Sequence, residues 1–104
     1  MRRLIYRDAA LNDIADIIDY LCDIGASEAT AEAFTDRLRE QCRKLANLPG
    51  TMGRSRPELG SGVRSQPYKG YILFFRYLNN NFVVLRILEG HRDIEARFGD
   101  DDER

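Results

Sequence analysis

The stretch YILFFRYLNNNFVVLRILE, residues 71–89, carries the clearest fold signal in this chain of 104 residues. Two runs rich in aromatic and β-branched residues, 71–78 and 82–89, flank three asparagines. Such residues favour extended strands, and asparagine tolerates the positive φ that a tight turn requires. The stretch therefore predicts a β-hairpin. Because both runs are nearly continuous in apolar residues, we expect both faces of these strands to be largely covered.

Two amphipathic helices are predicted upstream of this hairpin. The first has Asp8 as its N-cap and stops at Gly25, and the second has Ser27 as its N-cap and stops at Pro49-Gly50. Apolar residues recur every three or four positions, which places them on one side of each helix. These are Leu11, Ile14, Ile18 and Leu21 in the first helix, and Ala31, Phe34, Leu38, Cys42 (or Gln41 beside it), Leu45 and Leu48 in the second. We expect Asp13, Asp16, Asp19 and Asp23 on the opposite, outer side of the first helix.

Shorter segments complete the pattern. Residues 2–7 alternate between charged and apolar, with Leu4 and Tyr6 on one side and Arg3 and Ile5 on the other, as expected of a strand. Residues 63–68 form another strand, in which Pro67 suits an edge or an end. The Gly-rich and Arg-rich residues 51–62 are predicted to be a loop, and residues 94–98 one helical turn.

The order β-α-α-β-β-β predicts an α+β fold, in which a two-helix hairpin packs on one face of a mainly antiparallel sheet of about four strands. The direction in which the first strand pairs stays open. Because the helices cover one face only, the C-terminal segment or a partner has to close the other. We expect one domain over residues 1–98, followed by an acidic, flexible tail over 99–104.

The net charge of −1 conceals a strong asymmetry along the chain. Residues 31–92 contain eleven Lys or Arg against five acids, whereas the segments before and after them are acidic. A basic middle of this kind suits an acidic protein partner or a nucleic acid, although a solvated surface of mixed charge would have the same composition.

Several classes of protein are disfavoured by composition. No apolar run is long enough to span a membrane, and the charged start is unlike a signal peptide, so we expect a cytoplasmic protein. Cys22 and Cys42 are twenty residues apart and fit neither a disulfide framework nor a metal site, and we expect no metal and no cofactor.

His91, the single histidine, is the first candidate for chemistry. Its neighbours Arg86 and Arg92 favour the neutral imidazole, and no Ser, Cys or second His forms a recognisable catalytic set with it. We therefore interpret His91 as a structural or contact residue.

The arginines are the stronger signal. The Gly-rich stretch GRSRPELGSGVR, residues 53–64, contains Arg54, Arg56 and Arg64. Guanidinium groups suit bidentate binding of carboxylate or phosphate. The alternative is internal pairing, of Arg54 or Arg56 with Glu58, or of Arg86 or Arg92 with Glu89 or Asp93. The Gly-rich stretch has no Walker spacing, which argues against a nucleotide phosphate loop.

The chain resembles the toxin subunits of the bacterial RelE/ParE toxin–antitoxin superfamily, and the ParE branch more than the RelE branch. The resemblance rests on the element order and on four stretches in succession, GRSRPEL, GVRS, GYILFFRY and VLRILEGHRD. RelE-like members are ribosome-dependent ribonucleases that use basic residues and a tyrosine without a metal, and ParE-like members inhibit DNA gyrase. At the positions of the nuclease pattern this chain has Ile72 instead of an arginine and Phe98 instead of a tyrosine, and only Arg92 matches.

The resemblance thus implies a gyrase-inhibiting toxin with no catalytic residue, neutralised by a cognate ParD-like antitoxin. The residues that we expect to contact the antitoxin or the target are Arg54, Arg56, Arg64, Arg86, His91, Arg92 and Phe98. Two other readings stay open, a RelE-like messenger ribonuclease and a degenerate toxin with another target. A stand-alone RNA-binding module is the competing class outside the toxins, but we do not expect direct nucleic-acid binding.

Overall fold

The computed structural model describes residues 2–90 and 94–99, and of the predicted tail over 99–104 all but Gly99 lies outside them. The elements in chain order are β1 (Arg3–Tyr6), α1 (Asp8–Asp23), α2 (Glu28–Asn47), β2 (Arg54–Ser55), a 3-10 turn (Pro57–Leu59), β3 (Arg64–Tyr68), β4 (Tyr71–Leu78), β5 (Asn81–Glu89) and α3 (Ile94–Gly99). The strands form one sheet in the order β1-β5-β4-β3-β2. The α+β prediction is confirmed, with five strands in the sheet where about four were expected.

The additional strand, β2, lies inside the segment that was predicted to be a loop, so that prediction was wrong over these two residues. Arg54 pairs with Ser65 and Ser55 with Arg64, both antiparallel. Gly53 makes this possible, since a Cβ at that position would lie 2.8 Å from the Ser65 carbonyl oxygen. Gly53 also has φ of +83°, in the left-handed region that favours glycine.

Strand β1 pairs in parallel with β5, which resolves the direction that the sequence left open. The register runs from Arg3 opposite Asn81 to Tyr6 opposite Val84. The other three strand pairs are antiparallel. After the two helices the chain enters the sheet at the opposite edge, as β2, and continues through β3 and β4, so β5 lies in the centre between β1 and β4.

The helix starts agree only in part with expectation. Ser27 is the N-cap of α2, and its hydroxyl accepts a hydrogen bond from the Thr30 N–H at 3.1 Å. In α1, however, the N-cap is Arg7, which makes no side-chain cap, and Asp8 is the first helical residue. Asp8 therefore contributes only its charge, which is favourable in the first turn because the helix dipole is positive there.

The buried side of α1 is rotated from the predicted one. The buried residues are Ala10, Asp13, Ile14 and Ile17, and Leu11 is 42% exposed. Asp13 is thus not on the outer side of the helix, as the acid cluster suggested. In α2 the predicted Ala31, Leu38, Cys42 and Leu45 are buried, whereas Leu48 is exposed.

The sheet has an apolar cluster on each face. The helix hairpin covers the first face, where Phe75, Phe82 and Val84 of the sheet pack with residues such as Ile14, Leu38 and Leu45. The opposite face, here called the second face, has a smaller cluster. Its buried members are Val63, Phe74, Leu85 and Leu88, and Leu59, Ile94 and Phe98 pack against them. Of the two ways of closing this face that the sequence left open, the C-terminal segment or a partner, the C-terminal segment covers this cluster through Ile94 and Phe98 of α3.

Candidate protein-binding face

Arg54 lies on the second face at the β2 edge of the sheet. Paired residues on neighbouring strands point to the same side, and Arg54 is opposite Ser65, which is opposite Phe74 of the second-face cluster. The Arg54 side chain is exposed. Its contact with a partner, which the sequence suggested, stays a prediction.

Arg56 points to the same face but is held by internal contacts. Its Nε donates to Glu58 at 2.7 Å, its Nη1 donates to the Ser65 hydroxyl at 3.2 Å, and its guanidinium lies 5.6 Å from the centre of the Phe74 ring. The hydrogen bond from Arg56 lowers the pKa of Glu58. The internal pairing considered for Arg56 thus occurs, and it ties the 3-10 turn to the sheet.

Arg64 points to the helix side, since it is paired with Phe75 of the first-face cluster. Its Nε donates to the Met52 carbonyl at 2.7 Å and its Nη2 to the Gly53 carbonyl at 2.9 Å. Two backbone carbonyls of the loop before β2 are therefore satisfied by one guanidinium. Arg64 does not join Arg54 and Arg56 in one cluster.

Arg86 is 8% exposed and lies in a buried ion pair. Its Nε and Nη2 donate to the two carboxylate oxygens of Asp13 at 2.8 and 2.9 Å, and its Nη1 donates to the Arg97 carbonyl at 2.7 Å. Arg86 was expected to contact an acid of a partner, but the acid that it contacts here is Asp13 of the same chain. The burial of the charge requires such a partner.

A β-bulge gives Arg86 this position. Phe75 pairs with Val84 and Phe74 with Arg86, so Leu85 is an extra residue in β5. A bulge changes the direction of the side chains that follow it. As a result, Leu85 and Leu88 lie in the second-face cluster, while Ile87 lies in the first.

Ile72 and Phe98 are packing residues. Both contact the second-face cluster, and the Phe98 ring meets the Phe74 ring edge to face, with centroids 5.4 Å apart. Phe98 therefore anchors α3 to the sheet through apolar contact. His91 and Arg92 lie outside the described residues, and the roles expected of them stay predictions.

Part of the second face, here called the open half, is not covered by α3 or the 3-10 turn. It consists of two rows of paired residues at the end of the sheet near the β4–β5 turn. The first row is Ile5, Val83 and Arg76, and the second is Arg3, Asn81 and Leu78. The alternation in residues 2–7 predicted that Arg3 and Ile5 share one side of β1. Which residues of β5 and β4 lie beside them depends on the strand register.

Charge is divided between the sheet and the first helix. The five strands contain one acid, Glu89, and five arginines, Arg3, Arg54, Arg64, Arg76 and Arg86. Helix α1 contains five aspartates, Asp8, Asp13, Asp16, Asp19 and Asp23, and neither Lys nor Arg. The basic middle of the sequence thus becomes a basic sheet, and the acidic start becomes an acidic helix.

Among residues 2–90 and 94–99, no three His, Cys, Asp or Glu side chains lie close enough together to bind a metal ion. Cys22 and Cys42 are free thiols, and burial raises the pKa of Cys42 to about 11. Within the same residues, none of the helices has the length and apolar content that crossing a bilayer needs.

Comparison with known proteins agrees with this architecture. The family model for the ParE toxin of type II toxin–antitoxin systems, parDE, matches residues 4–94. Toxin ParE3 of Caulobacter vibrioides is 26% identical over 99 residues, which cover 95% of this chain and 97% of the relative. A solved structure of the chromosomal ParDE TA system from P. aeruginosa aligns with a TM-score of 0.72 at 22% identity, over 86% of this chain and 96% of the other.

The solved structure therefore shares the fold described here, a five-stranded sheet with a helix hairpin on one face and a short helix on the other. Since the family match extends over most of the chain, this protein belongs to the ParE toxin family of type II toxin–antitoxin systems. The resemblance to the ParE branch of the superfamily is confirmed.

Proposed function

We propose that this ParE-family toxin inhibits DNA gyrase in the cytoplasm, and that a cognate antitoxin of the ParD type neutralises it. The observation that carries the choice of target is the packing of Ile72 and Phe98. Both side chains belong to the second-face cluster, at the two positions where the nuclease branch has an arginine and a tyrosine. An aliphatic chain and a phenyl ring supply neither positive charge nor a proton.

Phosphodiester cleavage requires stabilisation of charge on the phosphate and proton transfer to or from the reacting oxygens. Arg86, buried against Asp13, and Arg64, bonded to two loop carbonyls, are occupied within the fold. A toxin that binds and blocks a protein target needs no such chemistry. This supports gyrase inhibition over the ribonuclease reading.

A protein antitoxin is supported by the charge division and by the open half. The sheet is basic and leaves apolar side chains uncovered at one end, which suits an acidic, amphipathic polypeptide more than a polyanion without apolar groups. The P. aeruginosa structure, in which the similar fold occurs, is of a ParDE TA system.

The proposal is tested by plasmid supercoiling. Purified toxin is added to gyrase and relaxed plasmid, and the control reaction is relaxation of the same plasmid in its supercoiled form by topoisomerase I. We expect supercoiling to fall with toxin concentration while relaxation is unchanged, and we expect the antitoxin encoded beside the toxin gene to restore supercoiling. Unchanged supercoiling at a large molar excess of folded toxin would contradict gyrase as the target.

The family match disfavours the competing class outside the toxins, a stand-alone RNA-binding module. Such a module would bind RNA with an affinity that falls steeply as salt rises, because binding releases condensed counterions. We expect no salt-dependent RNA binding at micromolar toxin. RNA binding without any effect of the antitoxin would favour the module.

A further inference from the structure

We propose that a cleft beside α1, here called the acidic cleft, receives a lysine or arginine side chain of the toxin's protein target. The cleft has a volume of about 90 Å³, and its walls come from α1, β4, β5 and α3. These walls contain three acids, Asp13, Asp16 and Glu89, and one base, Arg97. The inference rests on the proposed function, since it assumes that the toxin inhibits a protein by binding it, and it adds the place of contact.

The acidic cleft lies on the first face of the sheet, on the opposite side from the open half. Tyr71 and Glu89 are paired across β4 and β5, two residues along from the pair of Leu73 and Ile87, which belong to the first-face cluster. Since side chains two residues apart point to the same side of a strand, Tyr71 and Glu89 point to the helix side. Pockets for small-molecule ligands have volumes of roughly 300 Å³ or more. The acidic cleft is smaller and has room for a single side chain.

The walls of the acidic cleft suit an organic cation. Asp16 is exposed and forms no ion pair within residues 2–90 and 94–99, whereas the carboxylate of Asp13 is occupied by Arg86. Proteins bind ammonium and guanidinium groups through charge-assisted hydrogen bonds to carboxylates and through contact with aromatic faces. The cleft offers both, through Asp16 and through the rings of Tyr20 and Tyr71.

One donor in the wall of the cleft has no acceptor. The Nε of Arg97 is buried and makes no hydrogen bond within the part of the chain that the structure describes, although the Arg97 carbonyl accepts from Arg86. Most buried donors in proteins are hydrogen-bonded, and an unsatisfied one is unfavourable. A main-chain carbonyl that enters with a basic side chain would accept from this Nε, whereas a metal ion would not. The occupant that fits is therefore a residue of a polypeptide.

The end of α1 beside the cleft exposes apolar side chains among acids. Tyr20 is 51% exposed, and Ile24, one turn further along, is 62% exposed. Asp16, Asp19 and Asp23 are exposed around them, and α1 contains neither Lys nor Arg. Exposed aromatic and aliphatic residues within a charged rim are typical of surfaces that bind proteins. Because the rim has one sign of charge, it favours a basic partner.

Charge also separates the target from the antitoxin. The sheet is basic and suits an acidic antitoxin, whereas the acidic cleft suits a protein with lysine or arginine on its surface. An enzyme that binds DNA, as gyrase does, has such residues where it contacts phosphates. The target therefore fits the acidic cleft better than the antitoxin does.

The proposal is tested by comparing two exposed aspartates in the plasmid supercoiling reaction. Asp16→Lys reverses the charge at the acidic cleft, and Asp36→Lys makes the same change on the exposed side of α2. We expect the toxin concentration that halves supercoiling to rise by roughly tenfold or more for Asp16→Lys and by less than about threefold for Asp36→Lys. Both variants should bind the antitoxin encoded beside the toxin gene as the wild type does. Equal urea unfolding of the two variants checks that each is folded.

A second set of variants tests the aromatic wall without altering charge. Tyr20→Ala should raise the same toxin concentration by about fivefold, because the cation loses an aromatic contact. Tyr20→Phe keeps the ring and should inhibit as the wild type does. Leu11→Ala removes another exposed apolar side chain of α1 and should also leave inhibition unchanged.

The outcomes distinguish the cleft from the proposed function. If wild-type toxin inhibits gyrase and both Asp16→Lys and Tyr20→Ala inhibit equally well, the acidic cleft is overturned while the proposed function stands. If wild-type toxin does not inhibit gyrase, both fail. If Asp16→Lys weakens antitoxin binding as much as it weakens inhibition, the occupant is the antitoxin and the proposal is wrong.

Discussion

The carboxylate of Asp13 in α1 accepts two hydrogen bonds from the guanidinium of Arg86 in β5, 73 residues further along the chain. The same carboxylate accepts the N–H of Ile87 at 2.9 Å, beyond the point where β1 stops pairing with β5. A side chain thus satisfies a strand N–H that no neighbouring strand reaches. Since Arg86 also donates to the Arg97 carbonyl, one buried pair joins α1, the sheet and α3.

Asp13→Asn should destabilise the fold strongly, because it leaves the Arg86 guanidinium buried without its counter-charge. We expect the free energy of unfolding in urea to fall by about 3 kcal/mol, which is typical when one partner of a buried ion pair is removed. Asp16→Asn, an exposed acid of the same helix, is the control and should change it by less than about 0.5 kcal/mol. Equal effects of the two substitutions would show that the buried pair contributes nothing specific.

Phe98→Ala should loosen α3 from the sheet, because the ring packs edge to face on Phe74 and contacts the second-face cluster. Phe98 is only half-buried, so we expect a loss of about 2 kcal/mol of unfolding free energy, below the cost for a fully buried ring. Phe98→Tyr keeps the ring and should cost less than about 1 kcal/mol. Messenger cleavage acquired by Phe98→Tyr would contradict the view that position 98 serves packing alone.

Arg64→Ala should destabilise the segment before β2, because the Met52 and Gly53 carbonyls lose their shared donor. We expect unfolding free energy to fall by about 1 kcal/mol, measured by urea denaturation. Arg54→Ala, on the exposed edge strand, serves as the comparison and should stay within about 0.5 kcal/mol of the wild type. A larger effect at Arg54 than at Arg64 would reverse the assignment of which arginine is structural.

The protein should lose stability in alkali through Cys42. Burial raises the pKa of this thiol from 9.0 to about 11, so the folded state keeps a proton that the unfolded state loses. The stabilisation is complete below pH 9 and disappears as the pH rises to about 11. We expect unfolding free energy to fall by about 2 kcal/mol over this interval. Cys42→Ala should show a smaller fall, and an identical fall in the two proteins would contradict the assignment.

Periodicity and apolar runs were sufficient to predict the two helices, β4 and β5, because each presents a continuous apolar side to the core. They were not sufficient for β2, which is two polar residues long and depends on the close approach of Gly53 to the Ser65 carbonyl. The parallel pairing of β1 was also beyond local pattern. That pairing depends on where the chain returns after α2, and strands in either direction show the same alternation.

For the candidate site, the sequence predicted the exposure of a residue only where that residue has no distant side-chain partner. Arg54 is exposed, as a contact residue has to be, whereas Arg86 depends on Asp13, an acid that local charge clustering assigned to the solvent side. A weak signal existed, since Asp13 is three residues after Ala10 and four before Ile17, in phase with the buried side. The open half could not be found from the sequence, because its rows combine three strands through the register.

The most direct measurement of the proposed target is made in cells expressing the toxin without its antitoxin. DNA breaks held covalently on gyrase and cuts in ribosome-bound messenger are quantified in the same samples, for the wild type and for His91→Ala. We predict that gyrase-linked breaks accumulate or supercoiling falls while messenger stays intact, and that His91→Ala changes this only modestly, since no proton is transferred. Messenger cleavage that disappears in His91→Ala, with gyrase unaffected, would contradict the account and identify a ribonuclease.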